Sequence, residues 1–589
     1  MNTLFQNDRI RRILSDLHSL MYRHPHPITN VTMTKGQYDN PSQAKEASDT
    51  AVPFLLHDRW GGRNSYCWFH ADVPLPDSHT GTDLVLRLST TEYQLADTAL
   101  LSSFVTAPAG QWDLMNPQFM LFINGSLRQG MDLHHTEALL DSRDTAAGHI
   151  TLDFQAYAGL TDAYYNFIPE LLTVDICIRD LYYDMLTVFE AALTMAEESA
   201  KRFRLLSCLN DTINHLDMKL SGTREFHGCV ESATRFLRAT AYTEEQDDTT
   251  AISITCVGHT HIDMAWLWDL KQTRLKAQRS FSTVLTMMEH FPNYQFMHTS
   301  PQLYAYLKQD NPELYGKIKE KIAEGRWEPE GAMWIEADCN IPNGESLVRQ
   351  ILYGKKFIKE EFDRDSQILW LPDVFGYSAA LPQILNKSGI TCFVTSKISW
   401  NMLNTMPYDT FLWKGIDGGE ILTYFLTTPE LNQPAGNCGA TYNAILHPEA
   451  VYGTWRQYKQ KDINTDLLMC YGYGDGGGGP TLDMLEKLKR LEKGICGFPR
   501  VSSGQLQPFF TRLKKLADNP RLPRWTGELY LELHQGTYTS NGEIKWNNRH
   551  AEHLLLYAEF LDNVCSLLGE DPHTELLNAN WQLLLLNQF

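Results

Sequence analysis

Between residues 50 and 180, apolar and polar positions alternate in short runs (TDLVLRLS, QFMLFINGSLRQG, HITLDFQAYAG and LLTVDICI) parted by turn residues. A two-residue period buries one face of each run, so the pattern predicts an N-terminal β-sandwich-like domain. Residues 1–20 carry apolar side chains at helical spacing, and residues 181–245 do so again, as in AALTMAEESAKRFRLL. A polar stretch, TEEQDDTT, closes this half at about residue 249. From 251 the rhythm changes. The apolar runs AISITCV, YQFMHT, QILWLP, TCFVTS, LLMCYGY and GELYLEL alternate with helical stretches such as GESLVRQILYGKKFIKEEF. That alternation predicts an α/β domain with a parallel sheet covered by helices. Two helical patterns follow residue 545 and end in WQLLLLNQF, a dense apolar face that predicts a packing surface for something further. The expected division is 1–180 for the first helix and the β-sandwich-like domain, 181–249 for a helical connector, 250–540 for the α/β domain and 541–589 for an incomplete helical bundle.

Composition narrows the class. At 589 residues the chain is too long for one core. Its 51 Lys+Arg against 71 Asp+Glu give a net charge of −20, which argues against nucleic acid or an anionic membrane as partner. None of the 11 cysteines forms a CxxC pair; Cys256, Cys392 and Cys470 sit singly in apolar runs, as buried thiols do in a reducing compartment. The start has no apolar signal core and no 18-residue apolar span follows, so a soluble cytoplasmic protein is expected.

In a parallel α/β sheet, ligands bind at the carboxyl ends of the strands. There the chain places His259, His261 and Asp263 in GHTHIDMAWLW, Asp373 in LWLPDVFGYS, Asp475 in YGYGDGGGGPT and His534 in LELHQGTYTS. Two imidazoles and two carboxylates (His261, Asp263, Asp373, His534) make a donor set for a divalent ion, zinc first. The bland reading is that a strand-end His is a hydrogen-bonded core residue and a strand-end Asp a helix cap; His259 is read that way. The glycine run lacks the Gly-Lys-Ser/Thr ending of a phosphate loop, and instead lets backbone approach a ligand behind Asp475. Asp373 and Asp475 together fit paired-carboxylate chemistry, one ionised and one protonated. Trp266 and Trp268 are either core or a platform for the C–H face of a sugar.

The segments HIDMAWLW, EGAMWIEADCNIPNGESLVRQ, LWLPDVFGYSAALPQI, FLWKGIDGGEIL, YGYGDGGGGPT and GELYLELHQGTYTSNGEIK resemble glycoside hydrolase family 38 α-mannosidases, the cytosolic and bacterial branch in particular. The resemblance runs from about residue 250 onward and more weakly into the β region. It implies a (β/α)7-like catalytic domain and one zinc ion per chain on His261, Asp263, Asp373 and His534. Asp373 falls at the nucleophile, Trp266 at the tryptophan that stacks on mannose, and Asp475 is the candidate acid/base. Trp268, Trp334 and Asp338 are the further candidate substrate contacts. The implied reaction is retaining, exo-acting hydrolysis of terminal α-mannosyl residues of oligosaccharides. The resemblance also implies a further C-terminal region that packs on the catalytic domain, and leaves a homo-oligomer open. Two rivals stand beside it. A metal-dependent amidohydrolase fits the HTH and His298, though no suitable lysine is found. A non-catalytic carbohydrate-binding protein fits a β region joined to an incomplete hydrolase.

Overall fold

The computed structural model describes residues 3–47, 50–75, 84–90, 116–242, 252–430 and 439–589; the polar stretch at 243–250 lies outside them. The alternating runs form two antiparallel sheets. The larger has the order Val52–Phe54, Val31–Lys35, Tyr66–Pro74, His149–Tyr157, Gln118–Ile123, Ser126–Met131; the smaller runs Tyr22–Pro27, Ile168–Val174, Leu84–Ser89, Glu137–Leu139. Their inward residues share one apolar core, where Phe69, Phe119 and Phe154 of the first sheet meet Leu86 and Leu171 of the second. The helix Thr3–Met21 packs mainly elsewhere. Its apolar stripe of Ile10, Leu14, Leu17 and Met21 is buried with the helices Ile176–Thr194, Ala200–Asn214 and Arg224–Thr240, in the core that continues into the α/β unit.

In the α/β unit Ser253–Gly258 is flanked in parallel by Phe296–His298, Asp466–Tyr471 and Arg500–Ser503, and Trp327–Pro329 extends that sheet, again in parallel. A second sheet holds Ile368–Trp370, Cys392–Thr395 and Glu420–Phe425 in parallel, and one parallel bridge, Gly331 to Leu369, joins the two. The expectation of a wholly parallel sheet needs a correction: Thr410–Lys414 runs antiparallel to Glu420–Phe425. A tight turn links them, closed by the Gly415 N–H on the Gly419 carbonyl at 2.8 Å with Gly418 at φ +83°, which leaves no room for a crossover helix. The run GELYLEL also differs from expectation. Arg524–Thr526, just before it, takes the place in the sheet, and only Leu529–Tyr530 pairs, antiparallel, with Gly376–Tyr377.

Gly542–Leu567 and Thr574–Leu586 form the last two helices. The first is tied to the α/β unit by polar contacts: buried Glu552 accepts from the Asn343 N–H and the Ser346 hydroxyl, each at 2.8 Å, and Glu559 takes both terminal nitrogens of Arg349. Its apolar residues Leu554, Tyr557, Phe560, Leu561 and Val564 are exposed. Among the described residues the ten cysteines are free, and no helix is long and apolar enough to cross a membrane.

Candidate active site

Strand Ser253–Gly258 delivers His259, Thr260 and His261 from its carboxyl end. His259 is core, as the bland reading has it: Nδ1 meets the Met297 carbonyl at 3.3 Å and the ring lies edge-on to Trp370. His298 is also core, with Nδ1 3.2 Å from the Thr260 carbonyl and its ring edge-on to Phe281. His261 is the hub of the site. Its Nε2 is 3.1 Å from Asp263 Oδ1 and 3.9 Å from Asp373 Oδ2, and its Nδ1 is 3.2 Å from Glu336 Oε2. Burial disfavours the imidazolium, but the carboxylates of Glu336, Asp263 and Asp373 outweigh it and push His261 up to about 10.

Asp373 follows Ile368–Trp370. Its backbone N–H donates to Glu336 Oε1 at 2.7 Å, and its Oδ1 pairs with the buried ammonium of Lys397. Lys397 lies 4.7 Å from the centre of the Trp400 ring and 5.7 Å from that of Phe375, so aromatic faces help to hold its charge. Neither Glu336 nor Lys397 carries a sequence signal that sets it apart. Glu336 falls inside the segment EGAMWIEADCN, but nothing local marks it; burial, with repulsion from Asp373 added and His261 opposing, raises its carboxyl to about 7.

Asp475 reaches the same hub from the glycine run. Tyr473 and Gly479 exchange backbone hydrogen bonds of 3.0 and 2.9 Å, closing a loop with Asp475 near its tip in the left-handed region, φ +61°. Its Oδ1 accepts from Asn443 Nδ2 at 2.8 Å and from the Tyr442 hydroxyl at 3.2 Å. Gly474 lies so close to the Asn443 amide that no side chain fits between them. Burial raises the Asp475 carboxyl and Asp373 adds to the rise, against His261, Lys397 and Asn443. Asp263 goes the same way, up to about 6, because burial exceeds what His261 returns.

One ligand atom each from His261, Asp373 and Asp475 lie within 4.8 Å of one another, a spacing at which a single cation can be held. Asp263 adjoins this group through His261. His534 is not in it: the residue is exposed, at φ +61°, with its ring 4.7 Å from that of Phe375. Lys397 and Asp373 are its charged neighbours, and the partial desolvation of the ring, followed by Lys397, lowers its imidazole.

The four candidate sugar contacts separate. Trp266 is 49% exposed beside the hub segment, edge-to-face with the half-buried Trp268, over which Lys276 Nζ lies at 4.2 Å. Asp338 caps its own turn by accepting from the N–H groups of Asn340 and Ile341, at 2.9 and 3.2 Å. Trp334 is core: it is buried, donates to Gln302 Oε1 at 3.0 Å and packs edge-on to Phe357.

The arrangement offers two carboxyl groups in unlike surroundings, one paired with an ammonium and one favoured in its protonated form, with imidazole and carboxylate donors for a metal between them. Residues 251–528 match the glycosyl hydrolases family 38 N-terminal domain, and residues 532–589 match the alpha mannosidase middle domain. Alpha-mannosidase G of Dictyostelium discoideum is 38% identical over 411 residues, 70% of this chain and 36% of that protein. Alpha-mannosidase 2C1 of Homo sapiens is 36% identical over 415 residues, 70% and 38% of the two chains. Alpha-mannosidase of Saccharomyces cerevisiae is 36% identical over 436 residues, 71% and 39% of the two chains. The chain thus spans well under half the length of these relatives.

Proposed function

We propose, from the match of residues 251–528 to the glycosyl hydrolases family 38 N-terminal domain and of residues 532–589 to the alpha mannosidase middle domain, that the site is that of an exo-acting, retaining α-mannosidase that removes terminal α-mannosyl residues from oligosaccharides with the help of zinc. One observation carries the reading: Asp373 and Asp475, from separate strand ends, bring carboxylate oxygens within 4.8 Å of each other and of the His261 ring. Retaining glycosidases hold their carboxyl pair about 5–5.5 Å apart, whereas inverting ones leave room for a water at about 6.5–9.5 Å, so the spacing favours retention.

Asp373 is the nucleophile. Lys397 pairs with its carboxylate and Glu336 holds its backbone N–H, and its attack on the anomeric carbon forms the glycosyl-enzyme. Asp475 is the acid/base. Burial raises its carboxyl, as an acid for the departing oxygen requires, and as a carboxylate it then takes the proton of the water that releases mannose. The donor chemistry fits a divalent ion: His261, Asp263 and Asp373 would hold it, with His534 the remaining candidate donor. Bound there, zinc supplies Lewis acidity toward adjacent sugar hydroxyls. The exposed Trp266 offers its indole face to the mannose ring.

The test is turnover of an aryl α-mannoside by the full chain, with the anomer of the released sugar read by NMR and the zinc content measured on the same sample. An α-mannose first product supports the reading, and a β-mannose first product or no turnover defeats it.

A further inference from the structure

The loop after strand Ser126–Met131 lies outside both family-matched segments, yet it grips the loop that carries Asp475. The strand packs along the helix Leu270–His290 with almost no gap. Gly130 lies so close that a Cβ would stand 2.9 Å from that of Arg279, and its N–H donates to the Thr283 hydroxyl at 3.0 Å. Thr286 donates to the Arg128 carbonyl at 2.7 Å, so the β-unit is registered on this helix at successive turns. The same helix also holds the glycine loop, because the Gly478 N–H donates to Ser280 Oγ at 2.8 Å.

Beyond Met131 the chain turns at Asp132, whose Oδ1 accepts from the N–H groups of His134 and His135, at 2.7 and 2.8 Å. His135 is buried, its Nδ1 3.1 Å from Asp132 Oδ1 and its Nε2 3.3 Å from the Pro480 carbonyl. The imidazole thus bridges the carboxylate of one domain and the backbone of the other. It also closes on Gly478, where a Cβ would lie 3.1 Å from His135 Cε1. His134 stacks on Tyr473, with ring centres 3.8 Å apart and planes 9° from parallel. Tyr473 and Gly479 are the pair that closes the loop, and Asp475 lies between them at a backbone angle that a non-glycine residue holds only at some cost.

We propose that Asp132, His134 and His135, carried by the amino-terminal β-unit, are positioning residues of the active site that fix the Gly472–Gly479 loop so that Asp475 faces Asp373. The role rests on the α-mannosidase reading for its chemistry and on geometry alone for the clamp. The β-unit then works as part of the enzyme, because the acid/base loop has Ser280 on one side and these histidines on the other.

Two measurements on the full chain test it. Hydrogen exchange of the amides of Tyr473, Gly478 and Gly479 should speed by at least about tenfold in His135→Ala, with the helix Leu270–His290 unchanged. In kcat/KM, His134→Ala and His135→Ala should lose at least about tenfold more on methyl α-mannoside than on dinitrophenyl α-mannoside, because only the poor leaving group needs a placed acid. His134→Phe, which keeps the stack, should restore most of the loss. Unchanged exchange, or equal losses on the two substrates, overturns the clamp. A wild-type chain that hydrolyses neither substrate sinks the α-mannosidase reading instead, and the exchange result still decides the clamp.

Discussion

The backbone N–H of Asp263 donates to the backbone carbonyl of Asp475 at 2.9 Å. This bond ties the segment that begins HTHID to the glycine loop, more than two hundred residues away, and a bridge between Ile262 and Gly476 reinforces it. The hub imidazole and the proposed acid/base are therefore fixed relative to each other before any ligand arrives.

The metal assignment predicts about one zinc per chain after dialysis, and His261→Ala and Asp373→Ala should lose it. Metal analysis of His534→Ala then tests the remaining candidate donor, while Asp475→Ala should keep its zinc. Full zinc in both His261→Ala and Asp373→Ala would remove the site.

The two carboxylates should part by leaving group. Asp373→Ala should abolish turnover of alkyl and dinitrophenyl α-mannosides alike. Asp475→Ala should lose about 10²–10⁴-fold in kcat/KM on alkyl mannosides, retain glycosylation by the dinitrophenyl substrate, and form α-mannosyl azide when azide is added. Normal hydrolysis of alkyl mannosides by Asp475→Ala would make Asp475 a loop residue, with Asp338 the next carboxylate to test.

Lys397 holds the nucleophile, which every substrate needs. Lys397→Ala should therefore lower kcat/KM by about 10²-fold on both kinds of leaving group, a pattern opposite to that of Asp475→Ala. A loss confined to alkyl mannosides would show that Lys397 serves the acid instead.

Away from the site, Glu328 in the strand Trp327–Pro329 and the adjoining Glu330 are both buried, and Glu328 accepts from the N–H groups of Leu506 and Gln507 at 2.6 and 2.9 Å. Burial, and then Glu330, raise Glu328 from 4.5 to about 7. The folded protein thus holds this proton more tightly than the unfolded chain. Its contribution is full below about pH 4.5 and is lost as pH rises through 7. Glu328→Gln stays neutral, so it should gain stability over wild type by an amount on the order of 3 kcal/mol greater at pH 8 than at pH 4.5. Denaturant midpoints of the two proteins at both pH values check this, and a constant difference would refute it.

How much of this was legible in the sequence depends on the range of the interaction concerned. Period and alternation are local, because each strand or helix must bury its own apolar face. They therefore marked the short β runs, the helices and the strand ends from which His261, Asp373 and Asp475 project. Tertiary structure decided which of these meet. Asp475 joined His261 and Asp373, His534 stayed outside that group on an exposed turn, and Trp334 went into the core. Glu336 and Lys397 carry no local signal, since an acidic or basic residue in a mixed stretch looks like any solvated charge until the fold buries it against a partner. The same holds for Asp132, His134 and His135, whose partners Tyr473 and Pro480 lie more than three hundred residues away. The sequence by itself determined the elements and the donors they offer. Only the packing of those elements determined the neighbours, because burial and opposing charge, which set each group's protonation and reach, are properties of the assembled site.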